Sequence, residues 1–356
     1  RHGWYVATAA AVWRMAARLC AASALIVSCA LANSPLAIHD PPRGDVRLVI
    51  LGDFNGPYGS LDYPAPLTRA LLAVVDVWRP DLLLSPGDVI AGQSRDLPDD
   101  RFRAMWAAFD ATVAEPLRSA GIGYAVALGN HDASSLKGSG GAYLFERERR
   151  AAADYWSEHR PDLAFHDEAG YPFDHSFTAH GLFVVVLDAS SATVTAEQRS
   201  WLATELASQA AAQSAARIVI GHLPLVPIST GRDAPGEYVR DGEGLAAVLL
   251  AGSVDVYVSG HHAAYYPGRL GDVELLFAGG VGGRRLLGSD AAPRSTVTVV
   301  DVWLEPGASE RQAAFTYTTF DLADMTAVDP SELPARVGSV VVSSRAGSVA
   351  VAEAGE

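Results

Sequence analysis

Aspartate, asparagine and histidine stand directly after glycine in five segments of this chain: Gly52-Asp53-Phe54-Asn55, Gly87-Asp88, Gly129-Asn130-His131-Asp132, Gly221-His222 and Gly260-His261-His262. These side chains donate oxygen or nitrogen to metal ions, and together they offer a mixed set without sulfur. Such a set suits zinc, manganese or iron and does not choose among them. Each segment follows an apolar run, at Val46–Leu51, Leu82–Leu84, Tyr124–Leu128, Ile218–Ile220 and Val254–Val258. Polar groups at the ends of buried strands are where open α/β sheets keep their active sites. A single Gly-Asp or Gly-His pair carries little information; five in series predict one site.

The order and context of these segments resemble the calcineurin-like metallophosphoesterases, whose pattern reads D-x-H, G-D, G-N-H-[D/E], G-H and G-H-x-H. The resemblance runs from about Val46 to Pro267, and Gly129–Asp132 is its most specific element. It implies a two-sheet β-sandwich flanked by helices, with metal at the C-terminal ends of strands, and hydrolysis of phosphomono- or phosphodiesters by metal-activated water. Carried over position by position, it makes Asp53, Asn55, Asp88, Asn130, His222 and His261 metal ligands, with Asp88 bridging one or two divalent ions. His131 then faces the substrate, as transition-state stabiliser or proton donor. Asp132 either orients His131 or caps the turn that follows.

Two positions depart from the pattern. Asn55 replaces the first motif's histidine, and Ala263 replaces the last histidine of the fifth. Both belong to the same ion in the family pattern. One ion therefore keeps Asp88, Asn130, His222 and His261, whereas the other keeps Asp53, shared Asp88 and the weak neutral donor Asn55. His262 is a substitute for Ala263 only if the loop twists, because neighbouring residues of an extended chain point oppositely. Purple acid phosphatases of the same superfamily supply a tyrosine three residues after the G-D aspartate; here that residue is Ala91, leaving Tyr58 or Tyr63 nearby. A second reading follows from these losses: a catalytically degraded relative that binds through one intact metal site.

The elements that must position these residues alternate between strand and helix, the pattern of α/β architecture. Helices are expected at Pro66–Trp78, Asp100–Ser119, Tyr143–His159, Ala196–Gln213 and Glu243–Ala251, the last two following the capping residues Thr195 and Asp241. Further strands are expected at Leu182–Leu187, Val273–Phe277, Thr296–Trp303 and Ala314–Phe320. Ser134–Gly141 reads as a loop beside the third motif. Arg284 and Arg285 follow a glycine-rich stretch, as phosphate binders or plain loop residues, and Tyr265 and Tyr266 line a pocket or pack in the core. No Gly-x-Ser-x-Gly elbow supports a serine hydrolase.

Composition bounds the rest. The 356 residues, 49% hydrophobic, suffice for one large domain with a substantial core. Residues 1–32 read as an export signal, with Met15 as the start, Arg14 and Arg18 ahead of an apolar run and Ala30-Leu31-Ala32 as the cleavage site. Cys29 also fits a lipoprotein cleavage box, so export is either soluble, periplasmic or extracellular, or lipid-anchored at Cys29, the one route to a membrane. Both cysteines, Cys20 and Cys29, lie in this segment, leaving the mature chain no disulfide. Residues 33–45 read as a linker, 46–325 as the metallophosphoesterase domain and 326–356 as a loosely ordered tail. The formal net charge is −14, and it becomes −17 without the three arginines of residues 1–32, which hold no acids. Such a surface opposes sequence-independent nucleic-acid binding, which needs cations against phosphates. The expected partner is a small-molecule phosphoester.

Overall fold

The computed structural model describes residues 38–304 and 313–347. The expected export signal, with Cys20 and Cys29, lies outside the described residues. Among those described, no helix is long and apolar enough to cross a membrane.

Two sheets make the body of the domain. Numbered in chain order, the first sheet runs β13 (Thr326–Ala327), β12 (Ala313–Asp321), β11 (Thr296–Leu304), β1 (Val46–Ile50), β2 (Leu82–Ser85) and β3 (Gly123–Val126). The second runs β14 (Arg336–Val337), β15 (Val340–Val342), β9 (Tyr265–Leu270), β10 (Val273–Ala278), β8 (Val256–Ser259), β7 (Ala216–Ile220), β6 (Leu182–Val186), β5 (Asp174–Ala179) and β4 (Ala164–Gly170). Strands β1, β2 and β3 are parallel, as are β6, β7 and β8. Their C-terminal ends therefore emerge together, which is how five distant motifs meet.

Alternation along the strands explains the layers. Val46, Leu48 and Ile50 of the first sheet meet Val184, Val186, Ile218 and Ile220 of the second in one buried cluster. Phe183, Val185 and Val219 point the other way, into a second cluster with Leu202 and Leu206 of helix Ala196–Leu206 and Leu245 and Leu249 of helix Gly242–Ala251. Strands covered on both faces read as unbroken apolar runs. Each fully buried valine, leucine or isoleucine contributes about 1.5–3 kcal/mol.

The helices follow the expected positions with instructive breaks. Thr195 and Gln198 form a reciprocal capping box, and the Asp241 carboxylate accepts from Gly244 N at 3.0 Å. The run expected from Ala196 to Gln213 is two helices, because Ser208 caps a second at Gln209–Gln213. The expected helices at 66–78 and 100–119 both contain wide π turns, at Ala73–Trp78 and Asp110–Ala114.

The expected loose tail needs correction between 326 and 347. Val337 and Val340 are fully buried, β15 pairs with β9, and Tyr266 donates its hydroxyl to Pro334 O at 2.8 Å. Strand β9 went unread because its sequence contains Pro267-Gly268, ordinarily turn chemistry. Its glycine is required: a Cβ at Gly268 would meet Val340 Cγ1 at 2.3 Å.

Candidate metal centre

The loops after β1, β2, β3, β7 and β8 bring Asp53, Asp88, Asn130, His222 and His261 to one buried spot. Sharp local backbone makes this possible. Asp53, Asp88 and His261 adopt φ values of 48°, 55° and 63°, a region non-glycine residues seldom occupy outside constrained sites. The glycine ahead of Asn130 is there for space: a Cβ at Gly129 would fall 2.2 Å from Asp88 Oδ1.

Four atoms converge. His222 Nε2 is 2.8 Å from Asn130 Oδ1 and 3.3 Å from Asp88 Oδ1; His261 Nδ1 is 2.7 Å from the same Asn130 oxygen and 3.2 Å from His222 Nε2. Each histidine's other nitrogen is committed to an acceptor. His222 Nδ1–H donates to Pro86 O at 2.7 Å, and His261 Nε2–H donates to the Glu237 carboxylate at 2.9 Å. Arg232 Nη1 lies 3.2 Å from that nitrogen as well, but its own hydrogen bond goes to Glu237 Oε2 at 2.5 Å. Asn130 Nδ2 donates to Gln93 Oε1 at 2.7 Å, which turns its oxygen inward. Neutral imidazoles so tethered present lone pairs to the amide and carboxylate oxygens, acceptor against acceptor.

A proton relieves only part of this. Burial disfavours charge on His222, yet Asp88 and Asp53 raise it to about 9, so it can take one proton and donate it. Burial lowers His261 to about 4, so its short contact to Asn130 remains unrelieved. A cation among the four satisfies every lone pair at once, and the donor set fits one. Asp88 is ready for it: burial would raise its pKa, but His222 and His131 together hold it below the ordinary carboxylate range. Among the described residues, Asp88, His222 and His261 are the acidic and imidazole groups whose ligand atoms lie within 4.8 Å of one another.

The remaining expected ligands are not drawn into this convergence. Both Asp53 oxygens accept from His261 N, at 2.9 and 3.1 Å, and burial with the nearby Asp88 charge raises its pKa. Asn55 spends its amide nitrogen on Gly56 O at 3.3 Å. His262 does not replace Ala263: it is fully buried, its Nδ1 accepts from Ile228 N at 3.3 Å and its Nε2–H donates to Glu237 O at 3.0 Å. Tyr63 donates its hydroxyl to Val89 O, and Tyr265 and Tyr266 are core residues.

His131 lies beside the centre, with Nδ1 3.1 Å from Gly92 O and Nε2 4.0 Å from Asp88 Oδ2, under the stacked and exposed ring of Tyr58. Asp132 must be moved out of the catalytic set. It neither touches His131 nor reaches the cleft; fully buried, it accepts from the backbone N–H groups of Asp88, Val89, Ile90 and Gly129 at 2.7–2.9 Å. It clamps the loop after β2 to the loop after β3.

Nothing in the sequence marks Glu237 and Gln93, the groups that orient His261 and Asn130. They stand in loops without periodicity, and Gln93 is itself placed by Glu148, whose carboxylate accepts from Gln93 N and Ser94 N. Burial pushes Glu148 up to about 7.

Comparison with known proteins agrees with this geometry. Residues 46–265 match the model of the calcineurin-like phosphoesterase family. No curated protein matches the sequence. Among solved structures, a purple acid phosphatase from yellow lupin (Lupinus luteus) seeds shares 17% identity at a TM-score of 0.54, over 81% of this chain and 54% of that one. The chain thus spans about half the length of that phosphatase. A dimetal phosphatase from Danio rerio shares 16% identity at a TM-score of 0.48, over 74% of this chain and 94% of that one. With the family model covering well over half of its length, the chain belongs to the calcineurin-like phosphoesterase family.

Proposed function

We propose that this protein hydrolyses small-molecule phosphomono- or phosphodiesters with a divalent cation held by Asp88, Asn130, His222 and His261. The observation that carries this reading is the convergence of ligand atoms from Asp88, Asn130, His222 and His261, which a single proton on His222 satisfies only in part. When bound, manganese, zinc or iron supplies positive charge to the phosphoryl oxygens and acidifies water. Asp88 Oδ1 accepts from His131 N at 2.9 Å, so the carboxylate that would hold the cation is tied to the segment that carries the His131 ring. The contact of His131 Nδ1–H with Gly92 O leaves Nε2 4.0 Å from Asp88 Oδ2; when the ring carries a second proton there, it is placed to stabilise the phosphoryl group or to protonate the leaving oxygen.

Asn55 and Ala263 favour the second reading, a binding protein that has lost catalysis. Hydrolysis of aryl phosphate mono- and diesters by the full chain separates the two, metal-stripped and then with manganese, zinc or iron. Metal-dependent turnover absent from an Asn130→Ala, His222→Ala variant supports the enzyme, and none with any metal in a folded protein supports the binding module. Ala263→His adds a check on the lost ligand: raised metal content and turnover mean a damaged second site. Export rests on residues 15–32, and the N-terminal residue of the secreted protein tests it. The net charge of −14 speaks against nucleic acid as the partner.

A further inference from the structure

Helix Glu146–Glu158 buries two charged neighbours near its start, Glu148 and Arg149. Charged side chains stay at such depth only where hydrogen bonds hold them. Arg149 is answered by the Asp188 carboxylate at 2.9 Å and by Ala133 O at 2.7 Å. Glu148 is held differently. Among the described residues its oxygens accept from backbone alone, Oε2 from Gln93 N at 2.8 Å and Oε1 from Ser94 N at 3.0 Å. No step of the proposed hydrolysis uses this carboxylate, yet the loop that it grips faces the centre.

That loop carries both acceptors that aim the third motif. Gly92 O accepts from His131 Nδ1–H at 3.1 Å, and Gln93 Oε1 accepts from Asn130 Nδ2 at 2.7 Å. Gln93 has a φ of 64°, a region that a non-glycine residue keeps only when its surroundings impose it. Glu148 imposes it, by binding the N–H groups of the strained residue and of the next. The fit leaves no slack: a Cβ at Gly92 would fall 2.3 Å from His131 O and 3.2 Å from Glu148 Oε2. The loop is thus clasped between the carboxylate and the third motif.

We infer that Glu148 is a positioning residue for the centre: through Gly92-Gln93-Ser94 it turns the Asn130 oxygen towards the cation and fixes the His131 ring. This rests on the phosphoesterase reading and adds to it a residue that touches neither metal nor substrate. The two effects part at Gln93. Gln93→Ala removes the grip on Asn130 but leaves its own N–H on Glu148, so Gly92 O still meets His131. Glu148→Gln, of equal size, loosens both contacts, because its amide nitrogen cannot accept from a backbone N–H.

The test compares full-length wild type, Gln93→Ala, Glu148→Gln and the double variant. Manganese affinity is read by titration calorimetry, kcat on an aryl phosphate at saturating manganese, and folding by urea midpoint. Each single variant is expected to weaken manganese about 10-fold, with the double variant within about twofold of Gln93→Ala alone. At saturating manganese, Glu148→Gln should lower kcat about 10-fold, whereas Gln93→Ala stays within about threefold of wild type. A Glu148 that serves stability alone moves the urea midpoint and leaves the manganese affinity of the folded chain unchanged, which overturns the inference. A double variant that loses the product of the two single effects overturns it as well. Glu148→Asp, one methylene short, carries the same affinity test if Glu148→Gln does not fold. Wild type that binds manganese without turnover overturns the phosphoesterase reading instead, and manganese affinity then decides Glu148.

Discussion

On one side of Asp88, every ligand atom is held by a second group: His222 by Pro86 O, His261 by Glu237, Asn130 by Gln93. On the other side Asp53 leans on a backbone N–H, Asn55 turns to its own neighbour's carbonyl, and Ala263 offers a methyl group. The two halves share a fold, a glycine-led motif style and the carboxylate of Asp88 between them. They differ in whether a ligand has a partner fixing its lone pair, and that difference separates a metal site from residues that merely stand nearby. Outer partners of this kind set ring orientation and basicity.

The contrast can be broken most forcefully on the intact side. His222→Ala should abolish both tight metal binding and turnover, measured by metal analysis after dialysis and by aryl phosphate hydrolysis. Asp132→Asn comes next. An amide cannot accept four backbone N–H groups as the carboxylate does, so about 3 kcal/mol of stability should be lost, read from urea unfolding. Glu237→Gln should keep the fold and lower metal affinity about 10- to 100-fold, because it weakens the orientation of one ligand only.

A region remote from the centre gives a pH test. Burial, and then Arg160, lowers His175 to about 3, opposed by Asp167, so the folded state keeps this ring neutral. The unfolded chain protonates it near 6.5, and therefore binds more protons below that pH. Its contribution to stability is complete above pH 6.5 and declines as pH falls towards 3, by at most about 1.4 kcal/mol per unit. His175→Phe, packed among Phe165, Tyr171 and Phe177, should flatten the fall in urea midpoint between pH 7 and pH 5 relative to wild type. The smallest effect belongs to the depleted side: Asn55→Ala should change metal content and turnover less than about threefold, within the range of one neutral, half-buried hydrogen bond.

How legible each half was follows from its chemistry. Asp88, Asn130, His222 and His261 announce themselves because a ligand at a strand end needs an apolar run before it and a glycine beside it, both local signals. The α/β alternation was equally open, since β1, β6 and β7 read as strand-like apolar runs, whereas the pairing of strands into two sheets came with the family resemblance. Asp132 kept its conspicuous place in the third motif while its role went unread: its four donors come from two separate loops, visible only once β2 and β3 are side by side. Glu237, Gln93 and Arg232 lie in aperiodic loops whose approach to the centre is purely tertiary. Val337 and Val340 were hidden by a Ser-, Ala- and Gly-rich surround that reads as tail, although two buried valines suffice to add a strand.

The number of divalent ions retained per chain after dialysis tests the asymmetry most directly, measured by inductively coupled plasma mass spectrometry on wild type and Asn130→Ala. One tightly held ion per wild-type chain, absent from the variant, is the expected result. No retained ion in wild type, or an ion count unchanged by Asn130→Ala, would contradict a centre built on the intact half.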